Sequence, residues 1–393
     1  MSFDFYDEEH EEFRTAVRDF IDHEIAPHYA QWDAAHMMPR EAWTAAAENG
    51  LVGLAVGEQY GGMGLSDYRF RAVLDEEFVH TGTMAFGLAL HLQDDWVVPH
   101  LLAFASPEQQ QRWLPRILTA ELITSVAFTE PGAGSDLRGV RTRAVRDGDH
   151  YVLDGQKTFI GNGISGDAAL VLARTDGSTG RGARDSFSLF LVEKGEGYTT
   201  GKQLDKMGLR ASDTAELFFD GVHVPAGNLV GNEGAGLEQV EAMLPQGRLG
   251  IAVASAAVAR GVIDETRRYV GDRQVFGTRV ADLQNTRFEL ARMHSETAAA
   301  EALVARAVAA FNEGYADGRG GLDGFDAATA KLFASRTARR VTDGCLQLHG
   351  GYGYILEYPV AQAFLAARLF SIFGGTDEIM QETIARSLLP EDR

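Results

Sequence analysis

Cysteine occurs once in the 393-residue chain, at Cys345. One thiol makes no intrachain disulfide, so nothing marks an oxidising compartment. No nucleophile motif surrounds it, and a small buried core residue is the plainer reading. Basic residues are short as well: 36 Lys+Arg stand against 56 Asp+Glu, a formal net charge of −20. Without basic clusters that balance argues against nucleic acid and anionic membrane surfaces as partners. A small anionic ligand stays open, because a local pocket of Arg and backbone N–H groups overrides the global sign. Long apolar runs are missing, and no stretch approaches the roughly 18 residues of a membrane span. Met1 to His10 are acidic and carry no apolar segment, so no secretory signal is visible and the expected location is cytoplasmic. The 11 His are scattered without ligand spacing, so no metal site is expected. Walker A, H-E-x-x-H and G-x-S-x-G patterns are absent.

What is present divides into three zones. Residues 1–122 read as helices: Phe13, Val17, Phe20, Ile21 and Ile25 recur at helical spacing among Asp, Glu, Arg and His. Ser106 before Pro107 predicts a helix start. Residues 123–232 turn to short β-branched runs with turn signals. Asp147-Gly148 and Asp154-Gly155 flank Tyr151 to Leu153 as hairpin chemistry, and strands are expected over 168–173, 187–192 and 216–219. Asp176 to Asp185 is a polar Gly-rich loop. Residues 233–393 return to helical periodicity over about 249–270, 280–313, 326–349 and 359–373, which predicts a four-helix bundle. The fold class is therefore α+β, with an N-terminal α-helical domain, a middle β-barrel or sandwich domain and a C-terminal four-helix bundle.

Gly161-Asn162-Gly163-Ile164-Ser165-Gly166 matches G-x-G-x-x-G. A dinucleotide site needs a helix directly after that loop, and a strand pattern, 168–172, follows instead. Two other loops carry more. Phe128 to Asp136 (FTEPGAGSD) combines hydroxyls with glycines whose N–H groups can meet a heteroaromatic edge and a phosphate. From these residues alone a plain turn serves as well. Leu348 to Tyr354 (LHGGYGY) and Phe373 to Thr376 (FGGT) put glycines at helix ends, where backbone approaches a ligand. Arg268 and Arg273 stand near another helix end. Arg suits a pyrophosphate, although a solvated charge explains Arg268 better.

Together these segments resemble the acyl-CoA dehydrogenase family over essentially the whole chain. The motifs are AFTEPGAGSDL (127–137), GQKTFIGNG (155–163), KMGLRASDTAELFFD (206–220), RQVFG (273–277), LQLHGGYGY (346–354) and IFGGTDEIM (372–380). Leu244 to Leu249 and the last motif look most like the long-chain branch. The resemblance implies FAD and an oxidoreductase that desaturates an acyl thioester, presented by CoA or a carrier protein. A carboxylate takes the α-proton and flavin N5 takes the β-hydride. It implies flavin contacts at Phe128, Thr129, Gly134, Ser135, Phe159, Ile160 and Gly161. It implies subunit-crossing contacts at Arg273, Phe276, Gln284, Gln347, Leu348, Gly350 and Gly351, with Thr376 and Glu378 near the adenosine half. It places Arg248 near the thioester and Asp94, Asp95, Trp96 and Phe373 around the acyl pocket. Electron-transferring flavoprotein or O₂ is the implied acceptor, and a homotetramer the implied assembly.

The sequence departs from that family at the base. The Glu that most branches carry before Gly-Thr is Gly374 here, and the one that the long-chain branch carries before the bundle Arg is Gly247. Gly161 stands where a hydroxyl residue is common. Glu241, Asp94, Asp95, Asp377 and Glu378 are the nearby carboxylates. Pro245 is expected to break the helix between Glu241 and Gly247. The alternatives are a flavin oxidase or monooxygenase on the same scaffold, or a base-less protein that binds ligand without turnover.

Overall fold

The computed structural model describes residues 5–177, 182–315 and 318–389. Part of the polar loop Asp176 to Asp185 (178–181) lies outside the described residues, as do the first four residues. The N-terminal helices are α1 (Glu8–Phe20), α2 (Ala26–Ala35), α3 (Arg40–Glu48), α4 (Tyr68–His80), α5 (Met84–Leu92), α6 (Val98–Phe104) and α7 (Pro107–Leu118). A π-turn, Gln93–Val97, joins α5 to α6 without a break in the rod. The start of α7 is a capping box, in which Ser106 accepts from the Gln109 N–H and the Gln109 side chain accepts from the Ser106 N–H.

The middle zone is one mixed sheet of eight strands: β1 (Thr124–Ala127), β2 (Arg143–Asp147), β3 (His150–Gly161), β4 (Ala168–Arg174), β5 (Phe187–Glu193), β6 (Tyr198–Gln203), β7 (Thr214–Pro225) and β8 (Leu229–Val230). Their order is β6-β7-β3-β2-β4-β5-β8, with β1 parallel to β4. The hairpin at Asp147-Gly148 forms as expected. Asp154-Gly155 does not turn the chain. It lies inside β3, where the register against β7 shifts between Leu153 and Gly155. Gly155 is needed there because its φ is +154° and a Cβ would lie 2.7 Å from the Thr142 Cα.

The C-terminal zone holds α8 (Gly236–Asp272), a small hairpin of β9 (Gln274–Val275) and β10 (Thr278–Arg279), then α9 (Gln284–Glu313), α10 (Gly324–His349), α11 (Pro359–Phe370) and α12 (Asp377–Leu388). Helix α8 packs against α4, α9, α10 and α11. It runs through Pro245, contrary to the break expected there. A proline forfeits one intrahelical bond, and the burial of α8 on both sides of it outweighs that loss. By length and apolarity α8 would pass for a membrane span, contrary to the sequence expectation; 78% of its most apolar window is buried inside the fold. It is a core helix.

Candidate functional site

Helix α5 and the π-turn are pinned to the sheet. Gln93 Oε1 accepts from the Thr124 N–H and hydroxyl, and Asn162 Nδ2 donates to the Ala89 carbonyl. The other side of the same segment faces α8. Three positions opposite it lack side chains, and large groups fill the space they leave. A Cβ added at Gly247 would overlap Cζ2 and Cε2 of Trp96 and lie 2.8 Å from Cη2. One added at Gly161 would overlap Cδ1 of Leu92. One at Gly374 would overlap Ile251 Cδ1 and lie 3.7 Å from the Trp96 ring, and Gly374 also has φ +62°, a conformation costly for any L side chain.

Behind Trp96 lies a buried polar cluster. His91 Nδ1 is 2.6 Å from Asp95 Oδ2, and the Trp96 indole N–H donates to His91 Nε2 at 3.3 Å. Asp95 also accepts from the Tyr68 hydroxyl at 2.9 Å and from Arg71 Nε at 3.1 Å. Burial alone would raise the Asp95 carboxyl, but Arg71, His91 and Tyr68 together hold it below the ordinary carboxylate value. Asp94 differs: burial pushes it up to about 7 against the pull of Arg71, and its one hydrogen-bond partner among the described residues is the Gly53 N–H. Asp94 lines a small cavity with Gly53 and Gln246, whereas His91, Gly250, Ile251 and Phe373 line another. That second cavity is about 30 Å³, room for one water. It shares Val79, Met84, Leu209 and Val258 with a cleft of about 770 Å³ that reaches Arg268 and Tyr354.

Cations meet the 374–376 loop from below. Arg248 is buried, approaches the Gly374 carbonyl at 3.5 Å and has no carboxylate partner among the described residues; burial lowers it to about 10. The Lys331 ammonium donates to the Gly375 carbonyl, and burial lowers it to about 8. Thr376 caps α12 by accepting from the Ile379 N–H. The other carboxylates near these glycines in sequence are engaged elsewhere. Glu241 pairs with Arg184, Asp377 with Arg336 and Arg339, and Glu378 is exposed.

At the sheet end, Phe159 is 71% exposed with φ +60°, and Ile160 behind it is buried. The 128–136 loop is tied to that strand. The Thr158 N–H donates to the Thr129 carbonyl, and buried Lys157 donates to the Phe128 and Leu172 carbonyls and to Glu130 Oε1. Gly132, Gly134 and Ser135 are exposed, and the two glycines face open space. A second group gathers at the end of α8. Arg273 lies over the Tyr352 ring, Phe276 is fully exposed with φ +51°, and Gln284, Gln347, Gly350 and Gly351 are also exposed, with Leu348 half-buried.

Models of the acyl-CoA dehydrogenase N-terminal, middle and C-terminal domains match residues 7–121, 125–222 and 234–389. The chain belongs to the acyl-CoA dehydrogenase family. It is 39% identical over 385 residues to the mitochondrial long-chain specific acyl-CoA dehydrogenase of Sus scrofa, covering 98% of this chain and 87% of that one. An acyl-CoA dehydrogenase from Geobacillus kaustophilus superposes with a TM-score of 0.93 at 39% identity, covering 99% and 100% of the two chains. A glutaryl-CoA dehydrogenase from Mycobacterium smegmatis, solved in complex with FADH2, superposes at 0.89 with 28% identity, covering 99% and 96%.

Acyl-CoA dehydrogenases depend on FAD, and the residues present suit it. Phe159 offers a bare aromatic face, and the open glycines of the 128–136 loop offer backbone N–H groups without side chains in the way. Sequence reasoning passed over His91, Leu92, Tyr68, Lys331 and the Lys157–Glu130 tether. One signal was there: His91 and Asp95 stand four apart in an apolar helical run, hence on one face.

Proposed function

We propose that the protein is an FAD-dependent oxidoreductase that desaturates an acyl thioester at Cα–Cβ. Arg248 carries this reading. A buried guanidinium without a carboxylate is costly, and this one stands beside Gly374–Gly375 at the edge of the site. An acyl thioester, anionic in its carrier portion and polar at its carbonyl, supplies the missing partner. The usual Glu positions are Gly247 and Gly374, so neither supplies a base, and their space is taken by Trp96 and Ile251.

FAD, when bound, accepts the β-hydride. The chain's own residues do the rest. Phe128, Thr129, Gly134, Ser135, Phe159, Ile160 and Gly161 hold the ring and its phosphates, and Thr376 and Glu378 face the adenosine half. Trp96 and Leu92 exclude water from the space beside Gly247 and Gly161 and withdraw when an acyl chain enters, since the 30 Å³ cavity admits none. Phe373 borders that chain, with Asp94 and Asp95 one cavity removed. The exposed group at Arg273, Phe276, Gln284, Gln347, Leu348, Gly350 and Gly351 reaches the cofactor of a second copy in a homotetramer. Electron-transferring flavoprotein is the proposed acceptor.

The test is anaerobic titration of the flavin-loaded protein with saturated acyl-CoA thioesters from butyryl to palmitoyl. Bleaching of the flavin with formation of the enoyl thioester is expected. A flavin that stays oxidised with all of them, yet yields peroxide in air with another substrate, overturns the reading in favour of an oxidase.

A further inference from the structure

We propose that His91, oriented by Asp95, is the general base that takes the α-proton in place of the absent Glu. The proposal rests on the thioester reading above. It starts from adjacency. Gly250 is one turn along α8 from Gly247, on the same face. A Cβ there would lie 2.6 Å from His91 Nδ1 and overlap Cε1, so the bare backbone at 250 is what lets the imidazole sit against α8. The ring opens on the cavity lined by Ile251 and Phe373, the residue before Gly374.

The neighbours also fix which nitrogen is basic. Asp95 is an ionised acceptor against Nδ1, so Nδ1 carries the hydrogen. An indole N–H only donates, so Nε2, which faces Trp96, presents its lone pair. A base aligned by a carboxylate on its far nitrogen is the arrangement general-base chemistry needs. The charged and titratable groups around the ring are Asp95 and Asp94 on its own rod and Tyr68, Arg71 and Asp75 on α4. Gly250 and Ile251 of α8 and Phe373 bring none.

In the step, the Cα–H bond breaks and its proton goes to Nε2. The electron pair forms Cα=Cβ as the β-hydride leaves to the oxidised flavin, and Asp95 balances the imidazolium. The Trp96 indole, which occupies Nε2 and the space at Gly247, turns aside as the thioester enters. Trp96 is thus a plug over the base.

The test separates proton removal from oxidation. A 3-thia-acyl-CoA, with sulfur replacing the β-carbon, loses an α-proton but cannot give up a hydride. The flavin-loaded protein in D₂O is expected to exchange its α-hydrogens, read by mass spectrometry. His91→Gln should slow exchange by about 10²-fold or more, His91→Ala should recover part of it with added imidazole, and Asp95→Asn should move the acidic limb of the rate-against-pH profile to lower pH. Wild-type exchange in a flavin-retaining His91→Gln protein overturns the base assignment and leaves the thioester reading standing. If His91→Gln loses its flavin, Asp95→Asn decides, and an unmoved profile overturns the assignment. No exchange and no bleaching by the wild type with any acyl-CoA overturns the thioester reading itself.

Discussion

Placing a carboxylate at position 247 tests the packing around the glycines quantitatively. In Gly247→Glu the new Cβ overlaps two atoms of the Trp96 ring and lies 2.8 Å from a third. Carbon atoms pack at roughly 3.5–4.0 Å, so the indole must move by about an ångström or leave. Trp96 is buried, and its N–H is bonded to His91. Overpacking of this kind costs about 1–3 kcal/mol. Trp96→Ala alone leaves a cavity and costs about 3–5 kcal/mol. Together the two changes relieve each other, because the Glu side chain occupies the volume the indole vacates. The double variant is expected to be more stable than the sum of the single costs by at least about 1 kcal/mol. Denaturant unfolding of the four proteins in this cycle measures it. Costs that add within about 0.5 kcal/mol would refute the claim that Trp96 fills the place of a side chain at 247. The same double variant should show faster flavin bleaching by acyl-CoA than Gly247→Glu, in which Trp96 still competes for the space.

Gly374→Glu should destabilise more than Gly247→Glu, since the left-handed φ of +62° adds strain to the overlap with Ile251; equal midpoints would contradict this. Arg248→Met should leave the apoprotein as stable or more so, by removing a buried unpaired charge, while weakening binding of a 3-thia-acyl-CoA at least tenfold by calorimetry. Asp94 has a folded value raised to about 7 from 3.8. Its contribution is therefore fully present below about pH 4 and lost as pH rises through 7, and Asp94→Asn should flatten that part of the stability profile by up to a few kcal/mol. Lys157→Met should cost about 3–5 kcal/mol by removing the countercharge of buried Glu130, which keeps only its bonds from Arg141 and Thr142 among the described residues. It should also lower flavin content, because Lys157 holds the Phe128 carbonyl of the 128–136 loop.

The succession of helical, sheet and helical zones was legible because side-chain periodicity is a local property. So were the Ser106 cap, the hairpin at Asp147-Gly148 and the family motifs. So was the absence of side chains at Gly247 and Gly374. Folding in three dimensions settled what fills those spaces. Trp96 and Gly247 are 151 positions apart, and nothing local to either signals that the indole lies against the glycine. Pro245 and Asp154-Gly155 read as breaks, but the burial of α8 and the approach of Thr142 to β3 outweighed their local preferences. The pairing of His91 with Asp95 follows from helical spacing. Its position against the bare backbone of Gly250 depends on how α5 packs on α8, a contact between distant segments that only the assembled core fixes.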